Sequence, residues 1–279
     1  MLLRTAARHF ALPERPRVVV VDNASSDGTA AALTGAFAAV EVIRLERNAG
    51  GAGRNIGVSA CATPYVALTD DDAWWRPGAL RRAADLLDAN PRLALIQARV
   101  LVGPDERDDP TCVEMAASPL AAGEGQPGHP LVSFVACAVV VRRAAFLAVG
   151  GFQERFAVGG EEELVGWDLV AAGWQLSYVP EVVAHHHPPP APARRAKRRE
   201  TQVRNALWTS WLRRPSDVVA ADTARALRSL ANDRVVARGF ARALLGLPWI
   251  MRKRRVNPPH LEAMLRRLDQ HKASIERAR

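Results

Sequence analysis

The sequence predicts an α/β protein, a mixed but mainly parallel sheet with helices on both faces, followed by a helical extension. Short β-branched runs such as Val18-Val19-Val20-Val21 alternate with Ala-rich stretches at strand–turn–helix spacing. Turns rich in Asp, Asn and Gly close the first runs. Beyond about residue 190 strand signals stop, and long segments rich in Arg and Ala take over.

Arg17 to Asp22 is expected as a short buried strand, because a run of four valines is too β-branched for a helix. Asn23 to Gly28 is a turn and Thr29 to Ala39 a helix. Val40 to Leu45 is the second strand, followed by the glycine-rich Asn48-Ala49-Gly50-Gly51-Ala52-Gly53 and a helix over Arg54 to Cys61. Tyr65 to Thr69 is the third strand, Pro77 to Ala89 a helix and Leu93 to Val102 a strand. Gly103 to Pro130, rich in Pro, Gly and Asp, reads as a mobile loop over the site. Val132 to Val141 is strand-like, Ala144 to Val149 a short helix and Gly150-Gly151-Phe152 a tight turn. Glu161 to Ala172 is a helix opened by acids, and Gln175 to Val179 a last strand before His185-His186-His187. Pro188 to Pro192 is stiff and extended and marks a boundary between residues 1–190 and a basic helical region, 191–279. Helices are expected there at about 196–212, 216–246 and 258–277.

Apolar content of 48% and charged content of 24% are those of an ordinary globule. The net charge of +9 hides an asymmetry. Residues 1–190 carry 16 Lys and Arg against 22 Asp and Glu, and the remainder carries 22 against 7. An acidic body suits a metal–nucleotide site, and a basic tail suits a polyanionic surface. The three cysteines are far apart and lack CxxC spacing, which points to reduced thiols, no zinc site and a cytoplasmic setting. The start breaks at Pro13 and does not read as a secretory signal, and no stretch approaches the roughly 18 apolar residues of a membrane span.

The most informative feature is Asp70-Asp71-Asp72, which closes the third strand. Carboxylates packed this densely raise one another's pKa, so the cluster calls for a positive partner. A divalent cation holding a phosphorylated ligand is the usual one. The plainer alternative is an Asp-rich turn that caps the next helix. Asp22 and Asp70 both fall at the carboxyl ends of strands, where ligands bind in such sheets.

These pieces resemble the inverting glycosyltransferases of family 2, which have the GT-A (Rossmann-like) fold. The matching residues are Val19-Val20-Val21-Asp22-Asn23-Ala24-Ser25-Ser26-Asp27-Gly28-Thr29, Asn48 to Gly57, Leu68 to Asp72, and Gly150-Gly151-Phe152-Gln153-Glu154-Arg155-Phe156 with its acidic helix ending at Gly173-Trp174. The resemblance covers residues 17–190. It implies transfer of a sugar from a nucleotide-diphosphate donor, with UDP or dTDP favoured because Asp22 would accept the N3–H of uracil or thymine. It also implies Asp70 or Asp71 on the ribose, and Asp72 on Mg²⁺ or Mn²⁺ with a histidine after the last strand. His185 or His186 fills that place, and alternation puts His185 and His187 on one face; His185 stands with Asp72 as the metal pair. Asn48, Gly51, Arg54 and Asn55 are expected on the nucleotide side, the absent side chains letting backbone approach the ligand. The resemblance makes Glu162 the general base, with Glu161 or Glu163 as substitutes. Three Glu there would also favour a helix amino terminus through its dipole. Trp74 and Trp75 could stack on sugar faces or pack in the core.

Two departures stand out. Relatives carry Asp-Leu where this chain has Leu164-Val165, and they begin with a central apolar strand that this chain lacks; Leu2 to Leu12 resembles the helix after it. The expectation is a true start upstream of Met1, the other reading being a weakened donor binder. The basic clusters around Arg194 to Arg199 and Arg252 to Arg255, beside Trp208, Trp211, Leu244, Leu245 and Trp249, predict peripheral attachment to an anionic membrane and a glycan or lipid-linked acceptor of the cell envelope. A helical subdomain packed on the body is the plainer reading. The rival functions are a sugar-nucleotide nucleotidyltransferase, which would want a basic Gly-rich loop after the first strand, and an inactive sugar-nucleotide-binding scaffold. A nucleic-acid partner is disfavoured, since the tail has no recognisable reading motif.

Overall fold

A computed structural model describes residues 1–189 and 195–278. The chain opens with helix α1 (Leu2–Phe10), then strand β1 (Val19–Asp22), α2 (Thr29–Ala36), β2 (Glu41–Arg44), α3 (Gly53–Ala60) and β3 (Tyr65–Thr69). It continues through β4 (Ala73–Trp75), α4 (Ala79–Ala89), β5 (Leu93–Val102), β6 (Arg107–Asp108), α5 (Pro110–Ala116), β7 (His129–Pro130) and β8 (Ala138–Arg142). The last elements of the body are α6 (Arg143–Ala148), α7 (Glu161–Ala171) and β9 (Gln175–His186). Five helices follow: α8 (Arg195–Arg213), α9 (Ser216–Ser229), α10 (Arg234–Leu244), α11 (Leu247–Lys253) and α12 (Pro259–Ala278). Pro190 to Pro192, Arg194 and the expected boundary at 190/191 lie outside the described residues.

The strands form a mixed arrangement, but with less parallel pairing than their spacing predicts. β1 and β2 pair in parallel, as do β5 and β9. β8 enters between β3 and β5 and runs against both, and β4, β6 and β7 are short strands that pair antiparallel at the margins. β1 and β2 make a separate two-stranded ladder, while β3 ends the path β3-β8-β5-β9-β4. Among the described residues neither β1 nor β3 has a partner on its second edge.

Other differences from expectation have local causes. The 103–130 segment is not a bare loop, because Asp109 accepts the Thr111 N–H at 2.7 Å and starts α5, and Cys112 is buried against β5. β9 does not stop at Val179. Its ladder slips from Ala98–Val179 to Arg99–Val183 at Pro180, which has no N–H to give, and then runs on to His186. The expected helix over 216–246 is two helices, because Asp233 accepts the N–H of Val235 at 2.9 Å and of Val236 at 3.2 Å and begins α10 afresh.

One core lies between the large sheet and its helices, and Leu261 and Leu265 of α12 join it. A second gathers Phe156 and Leu164 from the body with Leu207, Trp208, Trp211, Leu212, Ala243 and Ile250. Arg213 forks onto Asp168 of α7 at 2.6 and 2.9 Å, with both side chains about 10% exposed. Much of the basic region is thus packed on the body.

Candidate functional site

Asp22 closes β1 at its carboxyl end, and the aspartate cluster follows the carboxyl end of β3. Asp22 is 3% exposed. Its Oδ1 accepts the Ser25 N–H at 2.9 Å, made possible by Ala24 in the left-handed region at φ 64°. The hydrogen bonds from Ser25 hold the carboxyl below the usual range, and Arg44 stands 3.7 Å away. Oδ2 is buried without a hydrogen-bond partner. Asn23, which sequence reasoning passed over, accepts the Ala49 N–H at 2.8 Å and donates to Gly50 O at 3.0 Å, fastening β1 to the glycine run. Its only sequence signal was an amide directly after a strand.

The glycine run proves to be shaped by its own chain. Asn48 Oδ1 accepts the Gly50 N–H at 2.8 Å, and the Gly51 N–H donates to Ala157 O at 2.7 Å. A Cβ on Gly51 would stand 2.8 Å from Glu161 Oε1. The missing side chains therefore admit the 157–161 loop. Asn55 is engaged within the fold. Its amide donates to Phe152 O and accepts the Phe152 N–H, both at 2.8 Å, so it stitches α3 to the Gly150–Phe152 turn.

Arg54 does face the site. Its guanidinium contacts Asp70. Burial pulls its pKa down, but Asp70, Glu161 and Glu162 pull it up further, so it stays charged. Asp71 is exposed, and lost hydration followed by its neighbours Asp72 and Asp70 raises its pKa. Asp72 Oδ1 is buried without a hydrogen bond and lies 3.3 Å from His186 Nε2. That contact raises the pKa of His186.

His185, the expected metal partner of Asp72, lies on the other side of the strand. Its Nδ1 is 3.0 Å from Glu106 Oε1 and its ring stacks on Trp74 at 5.4 Å. The strand alternation that pairs His185 with His187 turns both toward Trp74 and leaves His186 beside Asp72. Arg8 sits 3.5 Å over the Trp74 ring, and Trp75 is 3% exposed, so both indoles are engaged in packing.

Gly160, at φ 87°, starts α7 with three acids in its first turn. Glu161 is 2% exposed and accepts the Gly159 N–H. Burial, and then Glu162, push it up to about 7. Glu162 is half-buried and shares the surroundings of Arg54. Glu163 is turned toward Lys272 and Arg214, away from this cluster, and burial raises it to about 7.

Among the described residues no group of three or more His, Cys, Asp and Glu gathers as a metal cage. Asp72 and His186 supply one carboxylate and one imidazole, and the orphaned Asp72 oxygen is a fit donor. That set suits a magnesium-like cation that draws the rest of its shell from phosphate oxygens and water.

The family model "Glycosyl transferase family 2" matches residues 1–150. A Pre-mycofactocin glycosyltransferase of Mycobacterium tuberculosis is 33% identical over 180 residues, 61% of this chain and 37% of that protein. The chain thus spans little more than a third of that relative. An N-acetylglucosaminyl-diphospho-decaprenol L-rhamnosyltransferase of the same organism is 26% identical over 208 residues, 62% of this chain and 67% of that protein. The fold is similar to a mannosyltransferase of Pyrobaculum calidifontis solved with GDP-Man and Mn²⁺, with a TM-score of 0.58 at 18% identity over 95% of this chain and 81% of that one. It is also similar to S. aureus TarS in complex with UDP-GlcNAc, at 0.54 and 16% over 74% and 61%. The matched 150 residues are more than half of the chain, and they end where the Gly150–Phe152 turn begins; with the rim of carboxylates on the fold of these transferases, the chain belongs to glycosyl transferase family 2.

Proposed function

We propose that this protein is an inverting glycosyltransferase that moves a sugar from a nucleotide-diphosphate donor to an acceptor hydroxyl. The observation that carries the reading is the meeting of the aspartate cluster and the acidic helix start around Arg54, with Asp22 ending the strand that Asn23 ties to the glycine run before α3. Asp22 Oδ2 accepts the N3–H of a uracil or thymine, which favours UDP or dTDP. Asp70, held by Arg54, and Asp71 take the ribose. Asp72 and His186 hold Mg²⁺ or Mn²⁺, which when bound offsets the charge of the diphosphate.

Glu162 takes the proton of the acceptor hydroxyl. The freed oxygen attacks the anomeric carbon from the face opposite the diphosphate, the carbon–oxygen bond to the diphosphate breaks, and the nucleoside diphosphate leaves with that electron pair. Glu161 holds the 157–160 loop in place beneath this base. The acceptor is a glycan or lipid-linked sugar of the cell envelope, a class supported by the decaprenol named for one relative. Residues 1–190 form the catalytic part and 191–279 a packed basic part that keeps the enzyme peripheral on an anionic membrane. No helix among the described residues is long and apolar enough to cross one.

A panel of nucleotide sugars screened by thermal shift with Mn²⁺ identifies the donor. Nucleoside diphosphate release is then expected to fall by about 10²–10⁴ in Glu162→Gln with donor binding kept, since that is the usual size of general-base catalysis. A Glu162→Gln enzyme as fast as the parent refutes the assignment, and binding without any release leaves a scaffold.

A further inference from the structure

We infer that the corner between α10 and α11 is the surface by which the protein lies on an anionic phospholipid bilayer. The inference rests on the peripheral-membrane part of the proposed function and assigns it to particular side chains. Leu245 is 82% exposed and Met251 79% exposed, with Leu244 and Leu247 exposed beside them. Leu247 and Met251 are one helical turn apart, so they share a face. The opposite side of the corner is fully engaged: Ala243 and Ile250 are buried in the second core and Trp249 packs on Trp208 at 5.5 Å. A helix with one apolar side in the core ordinarily shows polar residues on the other. Here four large apolar side chains, Leu244, Leu245, Leu247 and Met251, stand exposed on the outward side among the cations.

The corner is also pinned. Trp208 Nε1 donates to Ala243 O at 2.9 Å, and a Cβ on Gly246 would stand 2.5 Å from that same nitrogen. The leucines are thus presented on a fixed turn.

Charge selects the occupant. From Arg234 to Leu261 the chain holds seven Lys and Arg and no acid. Several are engaged internally: Arg238 and Arg242 pair with Glu200, and Arg254 donates to the Trp211 and Arg214 carbonyls. Arg252 and Lys253, beside Met251, are exposed and make no ion pair with the described residues. Exposed apolar tips flanked by exposed cations fit an anionic lipid surface. The corner also adjoins the catalytic side. Arg155 stacks over Trp249 at 5.5 Å and Phe156 meets it at 6.4 Å, five residues before Glu161. An acceptor held in the bilayer would reach the site from here.

The test is co-sedimentation of the full chain with phosphatidylcholine vesicles with and without phosphatidylglycerol. The parent protein is expected to bind only the anionic vesicles and to be released by salt. Leu245→Glu/Met251→Glu should cut partitioning by about tenfold or more while leaving melting temperature and donor binding unchanged. Arg252→Ala/Lys253→Ala should weaken it less and flatten its salt dependence. If the Leu245→Glu/Met251→Glu protein binds like the parent, the corner is not the surface although membrane attachment stands. If the parent binds no vesicle, the membrane reading fails as a whole. A dimer in solution that those two substitutions dissociate would make this face a protein interface and overturn the inference.

Discussion

Asp22 and Glu161 are both buried carboxyls at the rim, yet their surroundings push them in opposite directions. Asp22 is held ionised by hydrogen bonds from Ser25 and keeps an unpartnered oxygen. Asp22→Ala should therefore weaken nucleotide binding by about tenfold or more, the size of one hydrogen bond to a charged group, in a calorimetric titration. Glu161 is raised toward neutrality by burial and by Glu162. A carboxyl with a raised folded pKa binds more protons folded than unfolded, so stability falls as pH climbs from about 4.5 to about 7 and is flat above. Glu161→Gln should remove that slope, and melting curves at stepped pH would show the parent losing ground to the variant across this window. Both carboxylates were legible in the sequence as acids at a strand end and a helix start. Their opposed environments were not, since burial arises from tertiary packing.

The glycine run, the Gly150–Phe152 turn and the start of α7 are three stretches of chain built into one another. Asn55 supplies two of the bonds, and Asn55→Ala should lower stability by about 1–3 kcal/mol in urea titration, because the Phe152 backbone is left unpaired. Gly51→Ala should also destabilise, since Glu161 and Ala157 O crowd the added methyl. Element types along residues 17–186 were largely readable from β-branched runs, glycine turns and strand–helix spacing. What escaped were features decided by pairing. Pro180 does not end β9, because a slipped register lets the ladder resume, and only that continuation carries His186 to Asp72 and turns His185 away. Alternation separated the two histidines in advance; which face held the aspartate depended on β4.

The acidic body and basic tail, opposite in charge when counted, are joined by that same charge. Arg213 and Arg255 on Asp168 of α7 cross between the two, while Arg214 on Glu262 and Asp269 ties the tail's own helices together. Removing one partner leaves a charge buried alone, so Arg213→Ala should cost about 3–5 kcal/mol, read as a lower urea midpoint. The composition made the tail look like a surface reagent. Folding buries Arg213 and Arg214, and the α10–α11 corner carries exposed cations and exposed apolar tips together.

Asn205 of α8 donates to Phe156 O at 2.9 Å and Gly159 O at 2.7 Å, while Gly51 grips Ala157 from the other flank. The short span leading into the acidic helix is therefore held like a tongue between two jaws, one belonging to the nucleotide half and one to the tail. A shift of α8 is therefore expected to move the start of α7 through Asn205, and Asn205→Ala should loosen that span, read as faster amide exchange at 157–161.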